Sequence, residues 1–271
     1  MSNYALFWFL LSAAVLLPFG VNGNSQVNAQ SAETNVTLEE INDNTNKWLG
    51  KTVTVTGTIE NLNDSTFTIE NEAYLDSERI LVINRSGEPI PQLPEKNIAL
   101  QVTGEVEKVD EAALVEGVDV ELSSSLPTEF TNKPAIYADS IVLAPAPREV
   151  IEAPDNFYGR KVIVNGRVAE ILNENTFTLA QRSYALPEDK DLLVLNVASE
   201  SMPSDDAEVS IIGEVRPYDR QQLERDYGIE PLSEELAEKY TNAGILIVES
   251  ISPGDVEGAS HFGRKTEEVE K

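Results

Sequence analysis

The chain contains no cysteine and a single histidine, His261, among its 271 residues. Without a thiol there is no disulfide framework, cysteine nucleophile, thiolate–zinc site or cysteine-ligated iron–sulfur cluster. One histidine, in a polar C-terminal stretch, argues against a Ser-His-Asp triad and a multi-histidine metal site. Basic residues are scarce as well: 20 Lys and Arg face 47 Asp and Glu, a formal net charge of −27. Such a surface repels phosphate backbones and argues against a nucleic-acid partner. Gly-rich phosphate loops, Walker motifs, Rossmann fingerprints and EF-hand spacings are all missing. The expectation is a non-enzyme without a cofactor, and no metal site is legible.

What is present begins at the N-terminus. No charged residue precedes Glu33, and Tyr4 to Val21 form an apolar run interrupted late by Pro18 and Gly20. The tightest part, Ala5 to Leu17, has the length of a signal-peptide h-region, and Val27-Asn28-Ala29 resembles a cleavage site. A basic n-region is lacking, and an uncleaved anchor over residues 4–21 is the rival reading, since 18 apolar residues just span a bilayer. Either way the chain reads as exported, in a periplasmic or extracellular space or tethered to the membrane. Residues 1–29 are thus a signal peptide or anchor, and 30–37 a polar linker.

The remainder is duplicated. Gly50-Lys-Thr-Val-Thr-Val-Thr-Gly57 returns as Gly159-Arg-Lys-Val-Ile-Val-Asn-Gly166, 109 residues later. Thr66-Phe67-Thr68-Ile69 returns as Thr176-Phe177-Thr178-Leu179, and Ile80-Leu-Val-Ile-Asn84 as Leu192-Leu-Val-Leu-Asn196. Gly104-Glu-Val106 matches Gly213-Glu-Val215, and Asp139-Ser-Ile141 echoes Glu249-Ser-Ile251. Leu126, Phe130, Thr131 and Asn132 likewise match Leu236, Tyr240, Thr241 and Asn242. A period of this length is that of a whole domain, not of a solenoid repeat. Repeat one is assigned to 38–146, repeat two to 147–253 and a disordered tail to 254–271. The join Ala144-Pro-Ala-Pro147, followed by Arg-Glu-Val-Ile-Glu, reads as a linker.

Within each repeat apolar residues recur with period two, as at Val53, Val55, Gly57 and Ile59, which marks strands with one buried face. Five strands are expected per repeat: about 52–61, 64–70, 79–84, 97–107 and 135–143, then 161–171, 175–181, 191–196, 206–216 and 244–251. Ile80–Ile83 and Leu192–Leu195 are apolar throughout, as in a strand covered on both sides. The mid-strand glycines suit a bend or bulge. Between the fourth and fifth strands of repeat two, Leu232, Leu236 and Tyr240 fall on one helical face behind Ser233, and Asp219, Leu223 and Tyr227 suggest another turn. The matching segment of repeat one carries Pro127, which shortens its helix or sets its start. Leu38-Glu-Glu-Ile41 through Trp48 suggests a short helix plugging the end of a barrel.

The G-[KR]-x-V-x-V-x-G-x-[IV] opening, the Thr-Phe-Thr second strand and the V-x-G-E-V fourth strand resemble exported bacterial OB-fold proteins. The resemblance covers most of residues 48–253, in two copies, and implies a mainly β chain of two tandem five-stranded OB-fold-like barrels. It assigns no activity. The helix between strands four and five departs from the usual position, between three and four.

Candidate sites have a plain reading beside each sharper one. Trp48 and Phe157 could be a stacking platform, and Phe67 and Phe177 lie on a face that oligonucleotide-binding OB-folds use; core packing is the simpler account. Stacking needs a basic groove, whereas these strands carry Glu60, Asp64, Glu70 and Glu72. Sugar binding needs exposed aromatics. Lys51 and Arg160-Lys161 could touch an anion or be solvated strand starts. Glu105-Val-Glu107, Asp119-Val-Glu121 and Asp205-Asp206 could hold Ca²⁺ or simply be wet faces. His261 is a bystander in the tail. No local basic patch is visible. The expectation is an exported binding or adaptor protein of the cell envelope with an unknown ligand or protein partner, and membrane contact only through an N-terminal anchor. Alternatives are divalent-cation binding, or oligosaccharide or oligonucleotide binding on the barrel face.

Overall fold

The computed structural model describes residues 34–60, 62–63, 65–71, 78–94, 98–109, 130–181, 191–198, 201–228, 232–241 and 243–254. The expected signal or anchor, the tail with His261, and the segment with Asp119, Glu121, Leu126 and Pro127 lie outside these residues. Among the described residues no helix is long and apolar enough to cross a membrane.

The protein is mainly β, a mixed sheet of eleven strands. Residues Thr34–Asn35 form β1, which runs parallel to the start of β2 (Thr52–Glu60) through Thr34–Val53 and Asn35–Thr54, so the expected linker ends on the sheet. The first repeat continues with β3 (Thr66–Glu70), β4 (Arg79–Asn84), β5 (Leu100–Lys108) and β6 (Pro134–Leu143). Pairing runs β2–β3–β4 antiparallel, β4–β6 parallel, and β6–β5–β2 antiparallel, which closes a five-stranded ring. In the second repeat β7 (Lys161–Asn173), β8 (Thr176–Ala180), β9 (Leu192–Leu195), β10 (Glu208–Pro217) and β11 (Gly244–Pro253) make the same five pairings in the same order. Leu143 of β6 pairs with Val162 of β7 and joins the two sets.

The alternating pattern predicted these strands because each has an inward face. In β5, Leu100, Val102 and Val106 are buried while Gln101, Thr103, Glu105 and Glu107 reach solvent. The uninterrupted runs are covered on both sides, as expected. Ile80 and Val82 join the main core, whereas Leu81 and Ile83 pack with Phe130 and Tyr137. Leu192 and Val194 face the main core, while Leu193 and Leu195 meet Leu223, Leu232 and Tyr240. Those last residues belong to α4 (Arg220–Tyr227), capped by Asp219, and α5 (Glu234–Tyr240), capped by Ser233, with Leu232 just ahead of it.

Two of the mid-strand glycines, Gly104 and Gly213, sit opposite bulges carried by the neighbouring strand, whereas Gly57 and Gly166 pair in unbroken register with Leu100 and Val209. The register slips at Thr103/Gly104 across from β6, leaving Asp139 as the extra residue, and at Ile212/Gly213 across from β11, leaving Glu249. A Cβ on Gly104 would lie 2.7 Å from the Ala138 Cα, so the bulge requires glycine there.

Before each first strand stands a helical pair. In repeat one these are α1 (Leu38–Asp43) and α2 (Thr45–Trp48); in repeat two, α3 (Pro147–Glu152) and the 3₁₀ turn Pro154–Asn156. The segment read as a linker is therefore a helix. Pro147 is tolerated at the first turn, where its missing N–H has no partner to lose, and Val150 is fully buried. Proline and charge had the composition of a linker, but their spacing is that of a capped amphipathic turn.

Candidate functional site

An open groove of about 850 Å³ lies where α1 and α2 meet the start of β4, the end of β5 and the start of β6. Its first wall follows from local sequence. Thr37 and Glu40 form a reciprocal capping box, with each side-chain oxygen accepting the other residue's backbone N–H at 3.1 Å. Leu38, Ile41 and Trp48 turn inward, and the Trp48 indole donates to the Glu40 carbonyl at 3.1 Å. Burying that face leaves Asn42, Asn44, Thr45, Asn46 and Lys47 along the groove.

The second wall comes from strand ends. Lys108 closes β5 opposite Pro134 of β6, and the Val109 N–H donates to the Lys133 carbonyl at 3.0 Å, so Lys108 and Lys133 share one end of the ladder. Asn132 takes a left-handed φ of 64° in the turn before them. Arg79, at the head of β4, supplies a fourth cation.

Lys47, Arg79, Lys108 and Lys133 thus share the groove lining with Asp43 and Glu78. The Glu78 carboxylate already accepts from the Asn42 amide. Arg79 has an exposed partner in Glu60 at 3.5 Å. Lys47 lies 4.3 Å from the centre of the Trp48 ring and Lys133 5.9 Å from that of Phe130. Among the described residues, none of the three lysines is ion-paired, although the chain carries more than two acids per base. No local basic patch is visible in the sequence because these four cations are dispersed along it and share one groove only in the fold.

The residues singled out from sequence do not converge on a second site. Trp48, Phe67, Phe157 and Phe177 are all buried, so none offers a stacking surface. Lys51 lies 5.4 Å from the Trp48 ring centre, Arg160 donates to the backbone carbonyls of Asn156 and Gln92, and Lys161 pairs with Glu249. Burial lowers the Arg160 guanidinium below its ordinary value. Glu105 and Glu107 surround a cation: Arg85 reaches Glu107 at 3.2 Å, Asp139 at 3.9 Å and Glu105 at 4.0 Å, and lies over the Tyr137 ring at 5.0 Å. Asp206 pairs with Arg167 and Asp205 is exposed. Among the described residues no group of three or more Asp, Glu or His is arranged to hold a metal ion.

No protein-family model matches the chain, and no curated protein matches it either. The duplication supplies an internal comparison instead. Core positions correspond closely: Trp48 with Phe157, Ile41 with Val150, Phe67 with Phe177 and Phe130 with Tyr240, and all eight are buried. Groove positions do not. Lys47, Arg79, Lys108 and Lys133 correspond to Asn156, Asp191, Pro217 and Ala243, and Asn42, Asn44 and Thr45 to Ile151, Ala153 and Pro154. Aligning the repeats exposes these differences in sequence, but only the fold shows that they share one surface.

Proposed function

We propose that this protein is an exported, non-catalytic binding protein of the cell envelope, made of two tandem OB-fold-like barrels, with the ligand held on the first. The observation that carries this reading is the unequal divergence of the repeats. Both keep the same apolar core and strand pairings, while one holds a polar, cation-lined groove where the other has apolar or shorter side chains. A structural duplicate needs only its core; lysines without an ion-pair partner around an open groove go beyond that need and serve contact with something else. Export rests on the apolar run of residues 4–21 followed by the Val27-Asn28-Ala29 motif.

Cell fractionation with intact-mass analysis tests the reading. Protein recovered from the envelope or the medium, with a mass beginning near Gln30 or with residues 4–21 retained as an anchor, is the expected result. Full-length protein in the cytoplasm, or a hydrolase activity abolished by one carboxylate substitution, overturns it.

A further inference from the structure

We infer that the groove of the first repeat binds a multivalent oxyanion, a ligand bearing two or more phosphate or carboxylate groups; this rests on the proposed binding role and names its ligand chemistry. Three observations converge on it. The cations Lys47, Arg79, Lys108 and Lys133 come from four separate elements, so a ligand touching several of them needs more than one anionic group. Three of the four have no ion-pair partner among the described residues in a chain of net charge −27, where carboxylates are plentiful. The repeated counterparts are an amide, an acid, a proline and an alanine, so the cation set belongs to one copy and not to the fold.

The remaining lining sharpens the class. Asn44 and Asn46 add amide N–H donors beside the lysines, and the Asn44 side chain makes no cap to α2. The aromatic in the lining, Phe130, is 5% exposed, so a nucleobase finds no stacking surface and an apolar ligand gains little. Lysines act as point charges without a fixed fork, which suits phosphate or carboxylate groups of variable spacing. The surrounding negative field makes recognition demanding: an anion gains only where the local cations outweigh the rest of the surface, so binding weakens steeply as salt screens the close contacts.

Calorimetry on the mature chain decides it, with tripolyphosphate, citrate, inorganic phosphate, a short oligothymidylate and phosphatidylglycerol vesicles as probes. Tripolyphosphate or citrate is expected to bind and to raise the melting temperature, with inorganic phosphate at least about tenfold weaker. The double variant Lys108→Gln/Lys133→Gln should lose about tenfold or more in affinity while unfolding at the wild-type temperature. Arg220→Gln on the second repeat should bind as wild type does. Raising ionic strength from about 50 to about 300 mM should weaken binding severalfold. No binding by either multivalent anion, undiminished binding by the double variant, or tighter binding of oligothymidylate or vesicles would each overturn the inference. Recovery from the envelope without anion binding would overturn the ligand class alone. Cytoplasmic recovery with binding intact would overturn export alone.

Discussion

Gly244, the first residue of β11, lies against Pro154: a Cβ built on the glycine would sit 2.7 Å from the proline's Cβ. The equivalent residues of the first repeat are Pro134 and Thr45, and both line the groove. One pair of positions therefore bounds an open surface in the first copy and a direct contact in the second. Different residues at these and neighbouring positions leave an open polar edge in one copy and a packed edge in the other, with the core unchanged.

Gly244→Ala should destabilise the protein by roughly 1–3 kcal/mol, because the added methyl meets a rigid pyrrolidine ring and not the tip of a flexible chain. Thr45→Ala should cost less than about 1 kcal/mol, since it removes a hydroxyl donating to the Ile41 and Asn42 carbonyls at the edge of a short helix. Urea midpoints of the two variants check the contrast, and equal midpoints would show the Gly244–Pro154 contact to be loose.

The helices before the two rings are capped unequally. Thr37 completes a capping box, whereas Ala146 offers no side-chain acceptor and keeps only the reciprocal half, its N–H donating to Glu149 at 2.7 Å. Ala146→Ser should stabilise by about 0.5–1 kcal/mol, and Thr37→Ala should destabilise by about 1 kcal/mol. Denaturant unfolding reads both signs. A destabilised Ala146→Ser would mean that the hydroxyl cannot reach the free N–H groups of α3.

Thr68 and Thr178 are equivalent and both are buried, but only one is matched. The Thr68 hydroxyl donates to the Glu60 carbonyl at 2.9 Å, while the Thr178 oxygen has no partner among the described residues. The β7–β8 register slips at Val168/Glu170, so Ala169, the counterpart of Glu60, has no register partner in β8. Thr178→Val should be neutral or stabilising by up to about 1 kcal/mol, and Thr68→Val should cost about 1 kcal/mol. Melting temperatures moving the same way in both variants would contradict this assignment.

Tyr240 sets an alkaline limit. Burial, with the nearby charges of Asp191 and Glu170, pushes its phenol from 10.0 up to about 12. The folded state therefore holds this proton more tightly than the unfolded chain does. Its contribution is fully present below pH 10 and is lost as pH rises from about 10 to about 12, a change of about 3 kcal/mol. Tyr240→Phe should flatten that loss while costing about 1 kcal/mol at neutral pH through the hydrogen bond to the Asp191 carbonyl at 3.3 Å. Burial also raises Tyr158 and Tyr218, so part of the slope should remain. An unchanged slope between pH 10 and 12 would remove Tyr240 as its cause.

Local regularity carried the strands, the double-sided β4 and β9 and the caps at Asp219 and Ser233, because each depends on residues close in the chain; the duplication showed as the same blocks returning in the same order about 110 residues later. The bulges at Asp139 and Glu249 were half legible: the glycines signalled a break, but the extra residue sits on the partner strand. Ala144 to Glu152 misled because composition is blind to whether Val150 finds a core to enter. The ring closure joining β2 to β5 and β4 to β6 depends on contacts between distant segments, and so does the groove. Lys47, Arg79, Lys108 and Lys133 carry no shared motif and no common period. Sequence determined which residues of each repeat enter the core, through burial of every second residue; tertiary structure alone decided which of the scarce cations would meet, because strand order and the packing of α2, not spacing, bring them to one groove.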